Sequence, residues 1–368
     1  MPPKQPSGNL SRVTLVDVAK RAAVSPVTVS RVITGNQVVK EATKIKVNKA
    51  IKELKYRPNH AARSLATNRS FLIGAITLPF SGYYYWQLHR GAATACRELG
   101  YHLMLEEVDL SMDAGEWYRH SFHKMKLDGL ILPPPLCDEP RLLDRLDEDG
   151  IAYVRITPGL DPERSPSVRS EDAQGAEALA DHLWDQGYRR FAIVVGPSKH
   201  AASRQRMDGF VSAIERHGID RSNILIAGTM WSGDPVANAR EIASQLFPKM
   251  TQPTALFAFH DELAAALIRI AVEHGLRVPD DLAIAGYDGS EICELTVPSL
   301  TTVRQPIAQM ARTAVNILVG KDVDPSLQVV HPVTLEVRES TVPACDGSSS
   351  LSFASKRIPV RQAVDDRA

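Results

Sequence analysis

The sequence predicts a small all-α helix-turn-helix head and an α/β body made of two doubly wound parallel-sheet subdomains with a cleft between them. Three observations predict it. The stretch "LVDVAKRAAVSPVTVSRVITG", Leu15 to Gly35, holds two short helical patterns separated by three residues. From Phe71 onward, apolar strand-like runs alternate with helical segments, the signature of parallel sheets covered on both faces. Charge is also segregated: residues 1–69 carry fourteen Lys and Arg against three acids (Asp17, Glu41, Glu53), whereas the remaining chain carries 29 against 40. A basic head on an acidic body is expected where one segment alone meets a polyanion.

Residues 1–12, "MPPKQPSGNLSR", have no period and no apolar core; they read as a disordered N-terminus rather than an export signal. Thr14 can cap a helix whose inward face carries Leu15, Val18, Ala19 and Ala22. Ser25 caps the next, with Pro26 at its first position, where a missing N–H costs nothing. Val29, Val32 and Ile33 turn inward on that second helix, and small Ala19, Ala22 and Ala23 let the pair approach closely. A third amphipathic helix is predicted near Glu41–Leu54, and Pro58 stops it. Asn59 can cap a short turn of helix reaching Leu65 or Ala66. The head is thus bounded at 13–58, with a hinge helix and linker at 59–70.

The body is expected over 71–343. Strands are predicted at "FLIGAITL", "YHLMLEEV", "DGLILPPP", "IAYVRIT", "RRFAIVVG", "NILIAG", "TALFAFHD" and "LAIAGYDG". About eight strands crowd one compact sheet, and the rhythm pauses at "PGLDPERSPSVRSEDAQ", so two subdomains are predicted. Their bounds are 71–171 with 305–331, and 172–304 with 332–343. Ligands of such folds bind beyond the carboxyl ends of the strands. The Ser-rich, charged, aperiodic 344–368 reads as a disordered tail. No apolar run is long enough to span a membrane. Cys96, Cys137, Cys293 and Cys345 have neither metal-ligand nor disulfide-framework spacing and suit a reducing cytoplasm. No cofactor and no metal are expected.

Once the apolar positions are buried, the outward face of the second helix begins with Pro26, Val27 and Thr28 and continues to Ser30 and Arg31. That face suits the major groove of DNA. Arg31 can contact guanine bidentately, and Pro26 and Val27 offer apolar contact to bases. Ser25, Thr28 and Ser30 suit phosphates, which position without specifying.

The segments "VTLVDVAKRAAVSPVTVSRVITG" and "VKEATKIKVNKAIKELKYRPNHAARSLATNRS", followed by the α/β body, resemble the lactose-repressor/galactose-repressor (LacI/GalR) family of bacterial transcription regulators, from about Val13 to Pro343. The resemblance implies base contacts from Pro26, Val27 and Arg31, and hinge helices that pair across a homodimer. Leu65 in "AARSLA" occupies the position that enters the minor groove, with Asn59 and Ala66 flanking it; an apolar wedge there can unstack a base step and bend the duplex. It also implies a body of periplasmic-binding-protein type that holds a small effector. "SRQRMDGF" places Arg206, and "AGYDGSE" places Asp288, at effector positions. "FHDELA" places Asp261 there too, with His260 replacing the family's asparagine. Tyr84 and Tyr85 in "FSGYYYW" align with cleft-facing positions, and Phe80 and Trp86 share that run. Trp231 and Met230 in "GTMWSGD" compete for one aromatic wall position. Gln305 marks a crossing between subdomains.

These readings predict a cytoplasmic homodimer, or a dimer of dimers, on double-stranded, pseudo-palindromic operator DNA. It would repress a carbohydrate operon under control of a sugar effector; a nucleobase or nucleoside is the alternative. A solute-binding protein would share the body but needs an export signal and no basic head. An enzyme is not expected: Gly-x-Ser-x-Gly, Gly-rich phosphate-loop and His-Glu-x-x-His patterns are all missing from the sequence.

Overall fold

The computed structural model describes residues 13–33, 39–56, 64, 67, 69–79, 82–123, 125–228, 233–250, 252–320, 323–343 and 356–360. The chain divides into two compact units, 1–70 and 71–368.

In the first unit, α1 (Leu15–Ala22), α2 (Pro26–Ile33) and α3 (Glu41–Glu53) enclose a small core. Val18, Ala19, Ala22, Val29, Val47, Ala50 and Tyr56 are buried in it, and Leu15, Val32 and Ile33 pack at its margin. Both caps expected from the sequence form. Asp17 N donates to Thr14 Oγ1 at 3.4 Å, and Thr14 N returns a bond to Asp17 Oδ2 at 2.8 Å, closing a capping box. The Thr14 amide and hydroxyl hold the Asp17 carboxyl below its usual range. Thr28 N donates to Ser25 Oγ at 3.1 Å, which starts α2.

The turn between α1 and α2 relies on Ala23 in the left-handed region, at φ 55° and ψ 48°. An L-residue with a Cβ is disfavoured there by about 1–2 kcal/mol. Ala23→Gly is expected to stabilise the head by about 0.5–1 kcal/mol, the relief being reduced by glycine's greater freedom when unfolded. Amide exchange of Val18, Ala19 and Ala22 in the full chain should slow correspondingly; faster exchange would show that the Ala23 methyl packs usefully.

The second unit contains two sheets. The first has the order β11-β5-β4-β3-β1-β2, all neighbours parallel, with β1 Leu72–Thr77, β2 His102–Glu107, β3 Gly129–Leu132, β4 Tyr153–Ile156, β5 Ser167–Ser170 and β11 Gln328–His331. Helices α4 (Tyr83–Leu99) and α12 (Ile307–Val319) pack on one face with β1, β3 and β4, while α5 (Ala114–Ser121) and α6 (Pro140–Glu148) close the other. The second sheet has the order β13-β12-β10-β9-β8-β6-β7. Its strands are β6 Phe191–Val195, β7 Leu225–Gly228, β8 Thr254–Ala258, β9 Leu282–Asp288, β10 Thr301–Arg304, β12 Thr334–Val337 and β13 Lys356–Pro359. Helices α7 (Asp172–Asp185) and α8 (Ala201–Arg216) cover one face; α9 (Pro235–Leu246), α10 (Asp261–Glu273) and the short α11 (Ile292–Leu295) cover the other.

The chain passes between the sheets three times: from β5 into α7, from β10 into α12 through Gln305 and Pro306, and from β11 into β12. The sequence pause at "PGLDPERSPSVRSEDAQ" conceals β5, a four-residue strand too short to show a period. Beneath it lies Arg155, fully buried, its guanidinium given to Ser165 Oγ at 3.0 Å and to the carbonyls of Leu160 and Asp161.

The tail requires a correction. Residues 356–359, within the segment expected to be disordered, form β13 antiparallel to β12, and Ile358 and Val360 pack on the core of the second sheet. Arg357 Nε lies 3.1 Å from Glu336 Oε1, a buried carboxylate that also accepts from Arg304 and Arg338. Two apolar residues at a spacing of two in "RIPV" suffice to cover an edge, too short a signal to stand out in a Ser-rich stretch.

Candidate functional site

Two constellations carry the chemistry, one in each unit. In the head, the exposed start of α2 presents Pro26 and Val27, the latter 60% exposed, with Arg31 exposed one turn on and Thr28 and Ser30 half-buried beside them. Ser25 Oγ and Thr28 Oγ1 are 2.9 Å apart. One hydroxyl proton serves that contact and the other remains for a phosphate oxygen. The capping role of Ser25 therefore leaves a hydroxyl donor on this face of the helix. Asn59, Leu65, Ala66, Phe80, Met230 and Trp231 lie outside the described residues.

In the body, the three crossings bring the carboxyl ends of both sheets together. Asp172 opens α7, Arg206 stands on α8, and Asp288 ends β9 with a left-handed φ of 108°. Arg206 is 4% exposed and Asp288 5%. Arg206 Nε donates to Asp172 Oδ1 at 2.7 Å, one terminal nitrogen donates to the Phe259 carbonyl at 2.8 Å, and the other lies 3.7 Å from Asp288 Oδ1. Its guanidinium carbon sits 3.7 Å from the centre of the Tyr287 ring, so both cation–π contact and ion pairing fix the plane. Ser170 Oγ lies 2.8 Å from both Asp172 Oδ2 and Gln305 Oε1, and Gln305 Nε2 lies 2.6 Å from Asp288 Oδ1. Burial pushes the Asp288 carboxyl up to about 7, against the pull of Arg206 and with Asp261 and Glu262 adding to the rise. Tyr84, from the first turn of α4, lies within the field of this group: burial and then Asp172 and Asp288 push its phenol upward.

The remaining expected ligand residues are placed differently. Tyr85 is buried in the first subdomain, its hydroxyl donating to the Pro134 carbonyl at 2.5 Å. Asp261 is fully buried, with Oδ2 accepting from Ser290 N at 2.7 Å and Oδ1 from Thr302 Oγ1 at 2.6 Å. Both have their polar atoms satisfied within the protein and support the walls of the cleft. Trp86 is half exposed beneath Arg90. His260 Nδ1 lies 3.1 Å from Glu262 Oε2 and 3.2 Å from Leu263 N; one nitrogen can serve only one of them at a time. Burial lowers the His260 pKa, but Glu262 more than compensates and leaves it raised, while Glu262 is drawn down to about 2. Those directions favour the ion pair.

Sequence reasoning missed Asp172, Ser170 and a bridge between subdomains. Tyr83 N donates to Glu262 Oε1 at 3.0 Å, and Tyr83 Oη donates to the Gly289 carbonyl at 3.1 Å, joining α4 to the second subdomain. A Cβ on Gly82 would stand 2.8 Å from Glu262 Oε1, so only glycine admits this approach without a shift. The "SEDA" at 170–173, an acid opening an amphipathic helix, was the available signal for Asp172. Among the described residues, no cluster of His, Cys, Asp and Glu could hold a metal, and no helix is long and apolar enough to cross a membrane.

A basic helix-turn-helix head and a two-sheet body with a polar cleft in one chain define a ligand-responsive regulator of transcription. Residues 14–59 match the family described as bacterial regulatory proteins of the lacI family, and residues 180–341 match a periplasmic binding protein-like domain. The chain is 32% identical over 338 residues to the HTH-type transcriptional regulator DegA of Bacillus subtilis, covering 90% of this chain and 99% of the relative. It is 31% identical to the HTH-type transcriptional repressor PurR of Photobacterium profundum, over 84% and 91% of the two chains. With the ribose operon repressor of Escherichia coli it shares 30% identity, over 86% and 94%. A crystal structure of the Lac repressor dimer bound to operator and the anti-inducer ONPF superposes with a TM-score of 0.72 at 27% identity, over 90% of this chain and 100% of that one. The chain belongs to the lacI family: it is a DNA-binding transcriptional repressor and not an enzyme.

Proposed function

We propose that the protein works as a homodimer on a pseudo-palindromic operator and that a sugar in the cleft sets its grip. Pro26, Val27 and Arg31 read base edges; Ser25, Thr28, Ser30 and Asn59 hold phosphates; and Leu65 and Ala66 form the hinge at the minor groove, which Asn59 flanks. Tyr84, Arg206, Asp288 and His260 touch the effector, Trp231 adds an aromatic wall, and Tyr85 and Asp261 act from behind.

The observation that carries the sugar reading is Arg206 pinned between Asp172 and Asp288 with its guanidinium over the Tyr287 ring, and the Tyr84 phenol within their electrostatic reach. Oriented donors and acceptors beside a ring face pair vicinal hydroxyls and cover the apolar face of a pyranose or furanose. A nucleobase also offers a flat face and paired polar edges, and it is the second reading. The ribose operon repressor among the relatives supports the first. The effector acts by preferring one arrangement of the subdomains, and the Tyr83–Glu262–Gly289 bridge is the contact such a rearrangement must make or break.

Two experiments test this. A thermal-shift screen of sugars and nucleobases on the full chain should give a raised melting temperature with at least one sugar; a shift with bases alone would favour the second reading. In a binding-site selection, Arg31→Ala should relax preference at one base pair per half-site, a loss of about 1–3 kcal/mol in discrimination. An unchanged preference would refute this docking.

A further inference from the structure

The hydrogen bonds at the floor of the cleft are short of one proton. Ser170 Oγ lies 2.8 Å from Asp172 Oδ2 and 2.8 Å from Gln305 Oε1, but a hydroxyl has a single proton to give. With Gln305 Nε2 donating to Asp288, both neighbours of Ser170 are acceptors when Asp172 is ionised. Turning the amide over, an assignment made from the network rather than from the atoms themselves, lets Nε2 serve Ser170. Gln305 Oε1 then faces Asp288 Oδ1 at 2.6 Å, again acceptor against acceptor. Either orientation leaves one close oxygen pair without a proton between them.

We propose that Asp172, Ser170, Gln305 and Asp288 form a chain that holds one carboxyl proton, so that with Arg206 the floor of the cleft is electrically neutral and selects an uncharged, hydroxyl-bearing ligand. The proton resides on Asp288. Asp172 already takes Arg206 Nε–H at 2.7 Å, whereas the guanidinium stays 3.7 Å from Asp288. The amide is then oriented with Oε1 accepting from Asp288, Nε2 donating to Ser170, and Ser170 donating to Asp172. Every contact in the chain acquires one proton and no more.

The groups facing Asp288 are consistent with this count. They are Arg206 from α8, Tyr84 from α4, Tyr287 beside it, Asp172 opening α7, and His260, Asp261 and Glu262 opening α10. His260 and Glu262 form their own ion pair. The upward shift of Asp288 to about 7, caused first by burial, agrees with the geometry. Without the proton, Arg206 would face two carboxylates and the floor would favour a cation. With it, neither an ammonium nor a carboxylate ligand finds a counter-charge, and Asp288 becomes a donor toward Gln305 while its other oxygen can accept from a ligand hydroxyl.

The ligand preference rests on the cleft reading proposed for the effector; the proton count rests on hydrogen bonds alone. The test uses the full chain with 13C-labelled aspartate carboxyls, followed by infrared spectroscopy across pH 5–9. Wild type should show a protonated aspartic-acid carbonyl at pH 7 that fades as pH rises, and Asp288→Asn should lack it. Ser170→Ala, which removes the middle link, should move the midpoint of that fading downward. Stability follows the sign of the shift. A carboxyl raised above its ordinary value of about 3.9 stabilises fully below that pH and loses its contribution as pH rises through about 7. The melting temperature should therefore fall between pH 5 and 7 in wild type more steeply than in Asp288→Asn, and the difference should level off above about pH 7. Absence of the band in wild type at pH 7, or its persistence in Asp288→Asn, would overturn the proposal. So would a melting-temperature rise with spermidine exceeding that with D-ribose or D-glucose. The band present while no sugar in the screen binds would uphold the shared proton and overturn the sugar reading instead.

Discussion

Arg206→Met is expected to lower the unfolding free energy of the body by about 3–5 kcal/mol, because removing one partner of a buried charge cluster strands the other. The substitution keeps most of the side-chain volume but takes away the donors that Asp172, the Phe259 carbonyl and Asp288 now share. Almost no water reaches the site to compensate. The two carboxyls can escape part of the penalty by taking up protons, so the loss measured by urea unfolding should be smaller at pH 5 than at pH 8. Adding Asp172→Leu should recover part of it, since two apolar groups are less costly there than one bare carboxylate. If the single variant unfolds within about 1 kcal/mol of wild type at both pH values, the cluster is not the anchor that its geometry implies. Thermal response to any effector found in the screen should vanish in the same variant.

Gly209→Val should destabilise the body by about 3 kcal/mol or more. Gly209 lies on α8 where that helix crosses α7, and a Cβ built there would come within 2.2 Å of the Ala173 carbonyl oxygen. The obstacle is backbone, so a rotamer change cannot relieve it; the helices must part. Arg206 is on the same helix one turn earlier, and Asp172 is the neighbour of Ala173. Separation would therefore lengthen the Arg206–Asp172 bond as well as open the core. Gly228→Ala is the control, since nothing lies within 4 Å of the position its Cβ would take. Equal melting temperatures for the two variants would show that the helix crossing yields more easily than its contacts imply.

The head was legible because every instruction in it is local. Thr14 and Ser25 start helices within three residues of themselves, and Val18, Ala19, Val29 and Val32 repeat at helical spacing. The cleft was only partly so. Arg206 and Asp288 sit in recognisable motifs, but their meaning depends on Asp172, Ser170 and Gln305, up to 135 residues apart along the chain. No periodicity reports a contact made by three passages between sheets. Asp261 illustrates the opposite difficulty. It stands in a motif much like that of Asp288, yet the strand–helix junction buries it against Ser290 and Thr302, whereas the left-handed φ of Asp288 aims its carboxyl at Arg206. Sequence spacing distinguishes neither direction. Strands β5 and β13, four residues each, were lost inside Pro- and Ser-rich stretches for want of length.

The triple passage between sheets also limits how this molecule can be recombined. Neither lobe of the body is a continuous stretch of chain, so no single crossover in the gene can exchange one lobe for that of a paralogue while leaving the other whole. Among the described residues, a crossover at Ser70–Phe71 severs no strand pairing, and it exchanges the DNA-binding unit as one continuous stretch. New sensors are thus obtained most simply by grafting entire bodies onto heads, and changes of ligand preference within a body must come residue by residue.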